Sequence, residues 1–328
     1  MKNLLRCLTL AVALFCLIAP CLVLAQDPVP PLPERSFTLV CMPDTQTAVA
    51  ARPQDLDAQI QWIVRNREPH KIAFVTFVGD IVDKNVPEQW DTADKHISKL
   101  DGVVPYGIAL GNHDMSGKTG ECTLFQEHFP QSRFEKQPWY VPGLDNNTCS
   151  AQRFEALGQK VLMVHLPCSP TDAMLAWADG ILARHADHLA IVTTHMYLGP
   201  KTRPEKPEDF FALPKGLMEW KKRSGADANN SPQMWEKCFK KHANLALILC
   251  GDQSRTQAHR EEQIGDHGNR VHALLSDYGP GFMRLYRLNP TAKTVDAVTY
   301  NAATNALVLT TKYQPSEDQH RFSVTYAK

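Results

Sequence analysis

The chain has 328 residues and a mass of 36.8 kDa, enough for one large domain or two small ones. Hydrophobic residues make up 43% of it, an ordinary share for a globular protein with a sizeable core. Its 35 acidic and 35 basic residues cancel, so the composition gives no support for a nucleic-acid or membrane-surface partner. Any attraction for an anion must therefore come from a local site.

The N-terminal residues have the pattern of a secretory signal peptide. Lys2 and Arg6 precede the almost wholly apolar residues 8–24, and Ala25 ends a small-residue cleavage pattern. Because the apolar run approaches spanning length, a membrane anchor is the alternative, and the cleavage pattern favours removal instead. We therefore expect a signal peptide at residues 1–25, a secreted or periplasmic protein, and no membrane association after cleavage.

Apolar runs and amphipathic patterns alternate along the chain after a proline-rich leader at residues 26–35. Strands are predicted from the apolar runs 37–42, 74–78, 103–110, 161–166, 189–194 and 245–249. Helices are predicted from helical apolar spacing around residues 56–64, 90–100, 174–181 and 235. This alternation predicts right-handed crossovers and a mainly parallel sheet, whose strand C-termini share one edge. After Val271, short strands with turn signals predict an antiparallel sheet packed on the first.

Two stretches lack a regular pattern, and no domain linker or internal repeat interrupts residues 36–328. Residues 117–147 are predicted to form an irregular loop that shapes one wall of a site. Residues 199–232, rich in Lys, Pro and Glu, form an insertion that is either a lid or a solvated surface loop.

Six cysteines follow the predicted cleavage site, at positions 41, 122, 149, 168, 238 and 250. An even number in an oxidising compartment permits disulfides. We expect a bond between Cys122 and Cys149, which would close an otherwise irregular loop; a bond between Cys41 and Cys250, both at strand ends, is also possible. No Cys-x-x-Cys pair occurs, so a cysteine-based zinc cluster is not expected.

Polar side chains follow directly after several predicted strands. Asp80 comes after the strand that Gly79 ends, at the kind of position where open α/β sheets hold ligands. A buried aspartate needs a compensating charge, and a metal ion commonly supplies it. For a single Gly-Asp, an aspartate that caps the next helix is the simpler interpretation. The pattern recurs, and the residues that strand ends supply are Asp44, Gln46, Asp80, Asn112, His113, His195, Asp252 and, as a further candidate, Ser254.

Carboxylate, amide and imidazole ligands together suit divalent first-row metals. Two metals about 3.5–4 Å apart need a bridging carboxylate, and Asp80 on the central strand is the natural bridge. Such a pair can hold a phosphoryl oxygen and lower the pKa of a water molecule toward neutrality. His113 would then protonate the leaving oxygen, with Asp114 orienting its imidazole.

The order Asp-x-Gln, Gly-Asp-x-x-Asp, Gly-Asn-His-Asp and Thr-His resembles the calcineurin-like metallophosphoesterase family, from about Ser36 to the C-terminus. The resemblance implies an α/β fold in which a two-sheet β-sandwich is flanked by helices, in four layers α/β/β/α. It also implies a dinuclear metal centre that hydrolyses phosphate esters. The implied ligands are Asp44 and Gln46 for one metal, Asp80 as the bridge, and Asn112 and His195 for the other. His113 would lie beside the leaving group.

The sequence departs from the family pattern in two motifs. Gln46 stands where histidine is usual, as in a known subgroup variant. The last motif, normally Gly-His-x-His, reads Gly251-Asp252-Gln253-Ser254. Asp252 can bind Mn²⁺, Mg²⁺ or Zn²⁺ through a carboxylate oxygen, whereas the neutral hydroxyl of Ser254 donates weakly. His259 is a nearby candidate to replace it.

One metal would therefore keep Asp80, Asn112, His195 and Asp252, and the other only Asp44, Gln46 and Asp80. The second set is harder, so Mn²⁺ or Mg²⁺ is favoured over Zn²⁺, with Mn²⁺ first and iron also possible. Arg255 and Arg260 could meet a phosphate, although surface ion pairs are the simpler use. His165 is expected to be a core histidine.

Our leading hypothesis is a secreted phosphoesterase that uses metal-activated water on phosphate mono- or diesters. The alternative is a catalytically impaired protein that keeps the fold and binds a phosphorylated ligand or a protein partner. The partner expected from the hypothesis is a phosphate ester rather than a nucleic acid. The sequence leaves the substrate, the ester preference and the oligomeric state open.

Overall fold

The structure, a computed structural model, describes residues 28–116, 119–221 and 227–326. The predicted signal peptide, residues 1–25, lies outside the described residues. Over the part of the chain that is described, no helix has both the length and the apolar character needed to cross a membrane. The described part of the leader packs on the fold: Val29 is buried, and Arg287 donates hydrogen bonds to the carbonyls of Pro30 and Pro31.

Sixteen strands are described. Those of the first half are β1 (Phe37–Met42), β2 (Ile72–Phe77), β3 (Tyr106–Ile108), β4 (Tyr140–Leu144), β5 (Cys149–Ala156), β6 (Gln159–His165), β7 (Leu189–Thr193) and β8 (Leu198–Pro200). Those of the second half are β9 (Lys215–Leu217), β10 (Leu245–Cys250), β11 (Ala258–Ile264), β12 (Arg270–Ser276), β13 (Phe282–Asn289), β14 (Thr294–Asn301), β15 (Ala306–Leu307) and β16 (Arg321–Thr325).

Eight α-helices are described with them. They are α1 (Gln46–Ala51), α2 (Pro53–Asn66), α3 (Pro87–Ile97), α4 (Thr123–His128), α5 (Gln131–Phe134), α6 (Asp172–Arg184), α7 (Asp209–Ala212) and α8 (Ser231–Lys237). Short 3₁₀ turns occupy Ser98–Leu100, Phe239–Lys241 and Glu317–Gln319. Thr171 caps α6, because its hydroxyl accepts a hydrogen bond from the Met174 N–H.

Two seven-stranded mixed sheets form the framework. In the first, with order β15-β14-β13-β1-β2-β3 and β16 beside β14, the strands β1, β2 and β3 are parallel and β13 is antiparallel to β1. The second has order β11-β12-β10-β7-β6-β5-β4, and its strands β6, β7, β10 and β12 are parallel. The expectation of one parallel sheet covered by an antiparallel one is therefore wrong. Strand pairing is set by tertiary contacts that an apolar run does not encode.

The two sheets pack face to face and each carries helices on its outer face. On β1, the side chains of Leu39 and Cys41 lie in the core between the sheets. The alternating residues Val40 and Met42 lie instead in the core under α1–α5. A third core packs α6 and α8 on the outer face of the second sheet. The four-layer α/β/β/α arrangement is confirmed.

The two stretches without a pattern are more regular than predicted. Residues 117–147 contain α4, α5 and the edge strand β4, and β4 pairs with β5, which no pattern predicted. Residues 199–232 contain α7, β9 and the start of α8, with β8 and β9 forming a small hairpin.

The predicted Cys122–Cys149 disulfide is absent, as is a Cys41–Cys250 bond. None of the six cysteines of the described part forms a disulfide, and all six are buried. Cys122 packs in the core under α1–α5, whereas Cys149 packs in the core on the outer face of the second sheet. The two thiols therefore belong to different hydrophobic cores, although their residues approach each other in the loop.

Candidate metal centre

The predicted site residues converge at the C-terminal ends of strands from both sheets. Asp44, Asp80 and Asn112 follow β1, β2 and β3 of the first sheet, and His195 and Asp252 follow β7 and β10 of the second. Ligand atoms of Asp44, Asp80 and His195 lie within 4.8 Å of one another, and all three residues are buried. The site is thus shared between two stacked sheet edges, and the expectation that it lies on one edge is wrong.

Three glycines let the site loops approach each other. A Cβ at Gly79, whose φ is +107°, would lie 2.5 Å from His195 Nδ1. A Cβ at Gly111 would lie 2.1 Å from Asp80 Oδ1, and one at Gly251 would lie 2.2 Å from Asp44 Oδ1. No side chain fits at these positions, because real Cβ atoms do not come this close. The glycines before Asp80, Asn112 and Asp252 therefore serve close packing of the site.

The backbone is also held in an uncommon conformation at two of the carboxylates. Asp80 has φ +48° and Asp252 has φ +72°, in the left-handed region that L-residues seldom adopt. The Asp80 carbonyl accepts a hydrogen bond from the Gln46 N–H at 2.8 Å, which ties the first two site loops together. Strain of this kind persists only where the surroundings enforce it, and it commonly marks functional sites.

His195 presents one ring nitrogen to two buried carboxylates. Its Nδ1 lies 2.9 Å from the Val78 carbonyl, so Nδ1 carries a proton and donates it there. Nε2 then lies 3.2 Å from Asp80 Oδ1 and 3.4 Å from Asp252 Oδ1. A nitrogen lone pair facing two anions is unfavourable unless a proton or a cation lies between them.

The electrostatics of this pair favour positive charge at the same place. Burial alone would lower the pKa of His195, but the carboxylates of Asp80 and Asp44 outweigh it and raise the pKa well above its usual value. Burial alone would raise the pKa of Asp80, but the His195 imidazole outweighs it and lowers the pKa. The pair therefore stabilises either a proton or a metal ion.

Asp44 and Gln46 bring unsatisfied oxygens to the same cavity as Asp80. Asp44 Oδ1 and Gln46 Oε1 are both buried, and neither has a hydrogen-bond partner among the described residues. Burial, followed by the neighbouring Asp277, raises the pKa of Asp44 well above its usual value. Buried acceptors without donors are costly, and a bound cation satisfies them.

His113 lies at the mouth of the site with 39% of its side chain exposed. Its backbone N–H donates to Asp80 Oδ1 at 2.9 Å, and its Nδ1 donates to the Asp83 carbonyl at 2.7 Å. This leaves Nε2 as the available ring nitrogen, 4.0 Å from Asp80 Oδ2. The ring is therefore oriented by the Asp83 carbonyl.

The predicted contact between Asp114 and the His113 ring is wrong. The fully buried Asp114 carboxylate accepts hydrogen bonds from the backbone N–H groups of Val82 and Gly111, at 3.0 and 2.7 Å. Burial and the nearby Asp80 raise the pKa of Asp114 to about 7. Asp114 thus fastens the loop after β2 to the loop after β3, and it positions the site through the backbone.

The altered last motif contributes unequally. The Asp252 carboxylate lies beside His195 and accepts a hydrogen bond from the Gln253 amide. Ser254 is exposed at the mouth of the site. His259 lies on β11, where its ring contacts Glu261 Oε1 at 3.2 Å, and it is not among the described residues that line the cavity. His259 therefore does not replace the missing histidine.

The cavity at this site has a volume of about 320 Å³. The residues that line it are Asp44, Gln46, Asp80, His113, Phe210, Asp252, Ser254, Arg255 and Asp277. Arg255 stacks its guanidinium on the Phe210 ring of α7, with 5.4 Å to the ring centroid. Arg260 instead pairs with Asp318 at 3.0 Å. Four carboxylates therefore face two basic side chains in one small space.

Asp277 is the site residue that the sequence patterns missed. It follows β12 directly, and its side chain is buried beside Asp44. Burial and the neighbouring Asp252 and Asp80 raise its pKa to about 7. A signal was present, because residues 271–275, apolar except for His272, are followed by Ser276-Asp277, a pattern similar to the one that marks Asp80. Because the strands after Val271 were predicted to be antiparallel, Asp277 was not counted among the residues at the shared strand ends. In the structure, β12 is parallel to β10.

A second group of potential ligands, Asp179, Cys238 and His242, lies outside this cavity. His242 Nε2 is already 3.0 Å from Asp179 Oδ1. Burial raises the pKa of the Cys238 thiol to about 12, which disfavours the thiolate that a metal needs. An ion pair beside a core thiol accounts for this group.

The donor set of the main site fits divalent cations. Carboxylate and amide oxygens with one imidazole are the ligands of Mn²⁺, Mg²⁺, iron or zinc, and the unsatisfied oxygens and facing carboxylates require positive charge. Asp80 belongs to the same compact group as Asp44 and His195, with their ligand atoms within 4.8 Å of one another.

Solved structures with a similar chain path include two nucleotidases. The NAD nucleotidase of Haemophilus influenzae has a TM-score of 0.45 at 11% identity, over 78% of this chain and 48% of that one. The 5'-nucleotidase precursor of Thermus thermophilus has a TM-score of 0.46 at 12% identity, over 89% of this chain and 54% of that one. These scores are too low to support an argument.

Comparison of the sequence with known proteins gives the chain a family. The protein YvnB of Bacillus subtilis (strain 168), described as uncharacterized, is 30% identical over 296 residues, which are 85% of this chain and 21% of that protein. The chain thus spans about a fifth of that relative. The model of the family described as calcineurin-like phosphoesterase matches residues 37–255, well over half of the sequence. The chain therefore belongs to the calcineurin-like phosphoesterase family.

Proposed function

We propose that this protein is a secreted, metal-dependent phosphoesterase that hydrolyses phosphate mono- or diesters with an activated water molecule. One observation carries the proposal. A buried imidazole nitrogen faces Asp80 and Asp252, while Asp44 and Gln46 turn unsatisfied oxygens toward the same cavity. Family membership supports the reaction class, and the signal-peptide pattern of residues 1–25 supports secretion.

The metal ligands we propose are Asp44, Gln46, Asp80, Asn112, His195 and Asp252. Divalent cations bound there, with Mn²⁺ favoured, would supply Lewis acidity toward a phosphoryl oxygen and toward water. Asn112 is buried in the loop after β3, directly before His113, and we assign its amide to the imidazole side of the site. Asp80, which we propose as the shared ligand, has a left-handed backbone, and its Oδ1 lies 3.2 Å from His195 Nε2.

His113 is the proton donor that we propose for the leaving group. Its ring is held by the Asp83 carbonyl through Nδ1, and Nε2 faces the cavity edge. A protonated Nε2 can deliver its proton to an ester oxygen that departs. Asp114 does not touch the ring and acts by fixing the loop that carries it.

Arg255 places a permanently charged guanidinium in the lining of the cavity. Stacking on Phe210 restrains the guanidinium, so that less conformational entropy is lost when it binds an anion. It can donate two parallel hydrogen bonds to a phosphate group.

The test is hydrolysis of aryl and alkyl phosphate mono- and diesters by metal-free protein with added Mn²⁺. Asp80→Asn should abolish turnover and metal binding. His113→Ala should lower kcat by about 10²-fold or more on alkyl esters, and less on 4-nitrophenyl esters, whose good leaving group needs little protonation. His267→Ala is the control, because His267 is exposed and its ring contacts only the Lys241 carbonyl.

Two outcomes would count against the proposal in different ways. Metal binding without turnover of any ester would favour the alternative, a protein that keeps the site to bind a phosphorylated ligand. Failure to bind any divalent cation would overturn the metal-dependent mechanism itself.

A further inference from the structure

Asp277 is a buried carboxylate that no motif of the sequence marks. It follows β12, next to β10, whose end carries Asp252, and only 2% of the residue is exposed. It lines the cavity together with Asp44, Gln46 and Asp80. Its position therefore combines strand-end placement, burial and access to the proposed metal site.

The contacts of Asp277 do not explain a buried negative charge. The hydrogen bond that anchors the residue is made by its backbone N–H to the Gln257 carbonyl, at 2.8 Å. Asp277 and Asp44 are both buried and line the same small cavity. Two buried carboxylates in one small cavity repel each other unless a proton or a cation compensates their charge.

The altered last motif leaves one part of the site short of a ligand. Ser254 is exposed, and His259 is bonded to Glu261 on β11. The ligand set proposed around Asp44 and Gln46 shares Asp80 with the other proposed set and gains no donor from Ser254. Asp277 lines the cavity with Asp44 and Gln46, whereas Asp252 Oδ1 lies 3.4 Å from His195 Nε2.

We propose that Asp277 is a metal ligand that completes, with Asp44, Gln46 and Asp80, the cation site that Ser254 cannot serve. This inference rests on the proposed function. All donors of that site are then oxygens, whereas the neighbouring site includes the His195 imidazole. Oxygen donors suit Mn²⁺ and Mg²⁺, and imidazole also suits zinc and iron, so the two sites prefer different metals.

Titration of the metal-free protein with Mn²⁺, followed by electron paramagnetic resonance, tests the proposal without any substrate. The wild type should bind two Mn²⁺ ions. Asp277→Asn should keep one of them, with the nitrogen coupling expected of an ion bound to His195, and should bind the other about 10-fold or more weakly. Asp266→Asn is the matched control, since Asp266 is an exposed aspartate in the turn before β12.

Each result has a distinct meaning. If Asp277→Asn binds two Mn²⁺ ions with wild-type affinities, this inference is wrong and the proposed function stands. If the wild type binds no Mn²⁺, the proposed function itself fails. Should Asp277→Asn not fold, Asp277→His keeps a donor at the position and should shift that site from Mn²⁺ toward Zn²⁺. An unchanged preference in Asp277→His would also overturn the inference.

Discussion

At the scale of single residues, the site depends on close approaches that permit no extra atom. Gly79 lies two residues after the end of β2 and has φ +107°, and the space of its missing Cβ is filled by the His195 ring. The neighbouring Asp80 takes φ +48°. The same backbone turn therefore carries the Asp80 carboxylate and makes room for the imidazole that faces it.

Gly79→Ala should be far more destabilising than its φ alone requires. Strain at a positive φ costs about 1–2 kcal/mol, and the clash with His195 should add about 1–3 kcal/mol. Gly158→Ala is the matched control, because Gly158 has φ +77° with no atom within 4 Å of a built Cβ. Urea unfolding measures both variants, and equal losses of unfolding free energy would contradict the packing argument.

His165 is a core histidine, as expected. It is fully buried, and its Nε2 contacts the Thr76 hydroxyl at 2.9 Å. Burial lowers its pKa to about 3. Because the unfolded chain would bind the proton near pH 6.5, the neutral ring favours folding fully above that pH. This contribution is lost as the pH falls from 6.5 toward 3.

The free energy of unfolding of His165→Gln should therefore depend less on pH than that of the wild type. Between pH 6.5 and 4.5, one proton bound only by the unfolded state costs about 1.4 kcal/mol per pH unit, or about 3 kcal/mol in all. The free energy of unfolding of the wild type should fall by about this much more than that of His165→Gln. Parallel urea titrations at the two pH values measure the difference, and equal slopes would show that His165 is not buried in its neutral form.

At the scale of elements, the central parallel strands of each sheet were predictable from the sequence, whereas the strands near the sheet edges were not. The apolar run 37–42 matches β1 to the residue, and Thr171 caps α6 at the start of its apolar spacing. These elements are set by local periodicity and capping, which the sequence displays directly. The edge strands β4 and β11, and β5 next to β4, carry mixed residues, so their strand state depends on the neighbours that they pair with.

The short helix α7 connects the 199–232 insertion to the cavity. Its two aromatic residues face different ways, because Phe210 lines the cavity under Arg255 while Phe211 is 61% exposed and stacks on Tyr313. The interpretation of this insertion as a lid remains a prediction. The orientation of Phe210 supports it.

Phe210→Ala should weaken substrate binding and leave the chemical step intact. Loss of the ring removes the stacking that holds Arg255, worth about 0.5–1 kcal/mol, so KM should rise about 2- to 5-fold with kcat nearly constant. Phe211→Ala is the control and should change neither parameter. A fall in kcat with unchanged KM would show that Phe210 acts on the reacting groups instead.

At the scale of the whole molecule, charge is balanced overall and unbalanced in the cavity. The chain has equal numbers of acidic and basic residues, yet four aspartates and only two basic side chains line one space of about 320 Å³. The two sheets hold these carboxylates together against their repulsion. A cation that binds only the folded state should therefore stabilise the protein.

Addition of Mn²⁺ should raise the thermal midpoint of the metal-free protein by several degrees. A concentration 100 times the dissociation constant stabilises the folded state by about 2.7 kcal/mol for each site. Asp80→Asn should lose the shift, whereas Asp91→Asn, which removes an aspartate with 74% of its side chain exposed on α3, should keep it. Differential scanning calorimetry measures the shifts, and an equal response of Asp80→Asn would point to nonspecific cation binding.

The sequence by itself determined the strand ends, their polar residues and the family motifs, because these are local patterns of a few residues. Tertiary structure decided that the strands divide between two sheets, and so that the site joins the edges of both. It also decided that Asp277 lies in the cavity, that Asp114 holds a loop instead of the His113 ring, and that Cys122 and Cys149 pack in different cores. Each of these depends on which distant segments become neighbours, and cooperative packing of the whole chain fixes that choice.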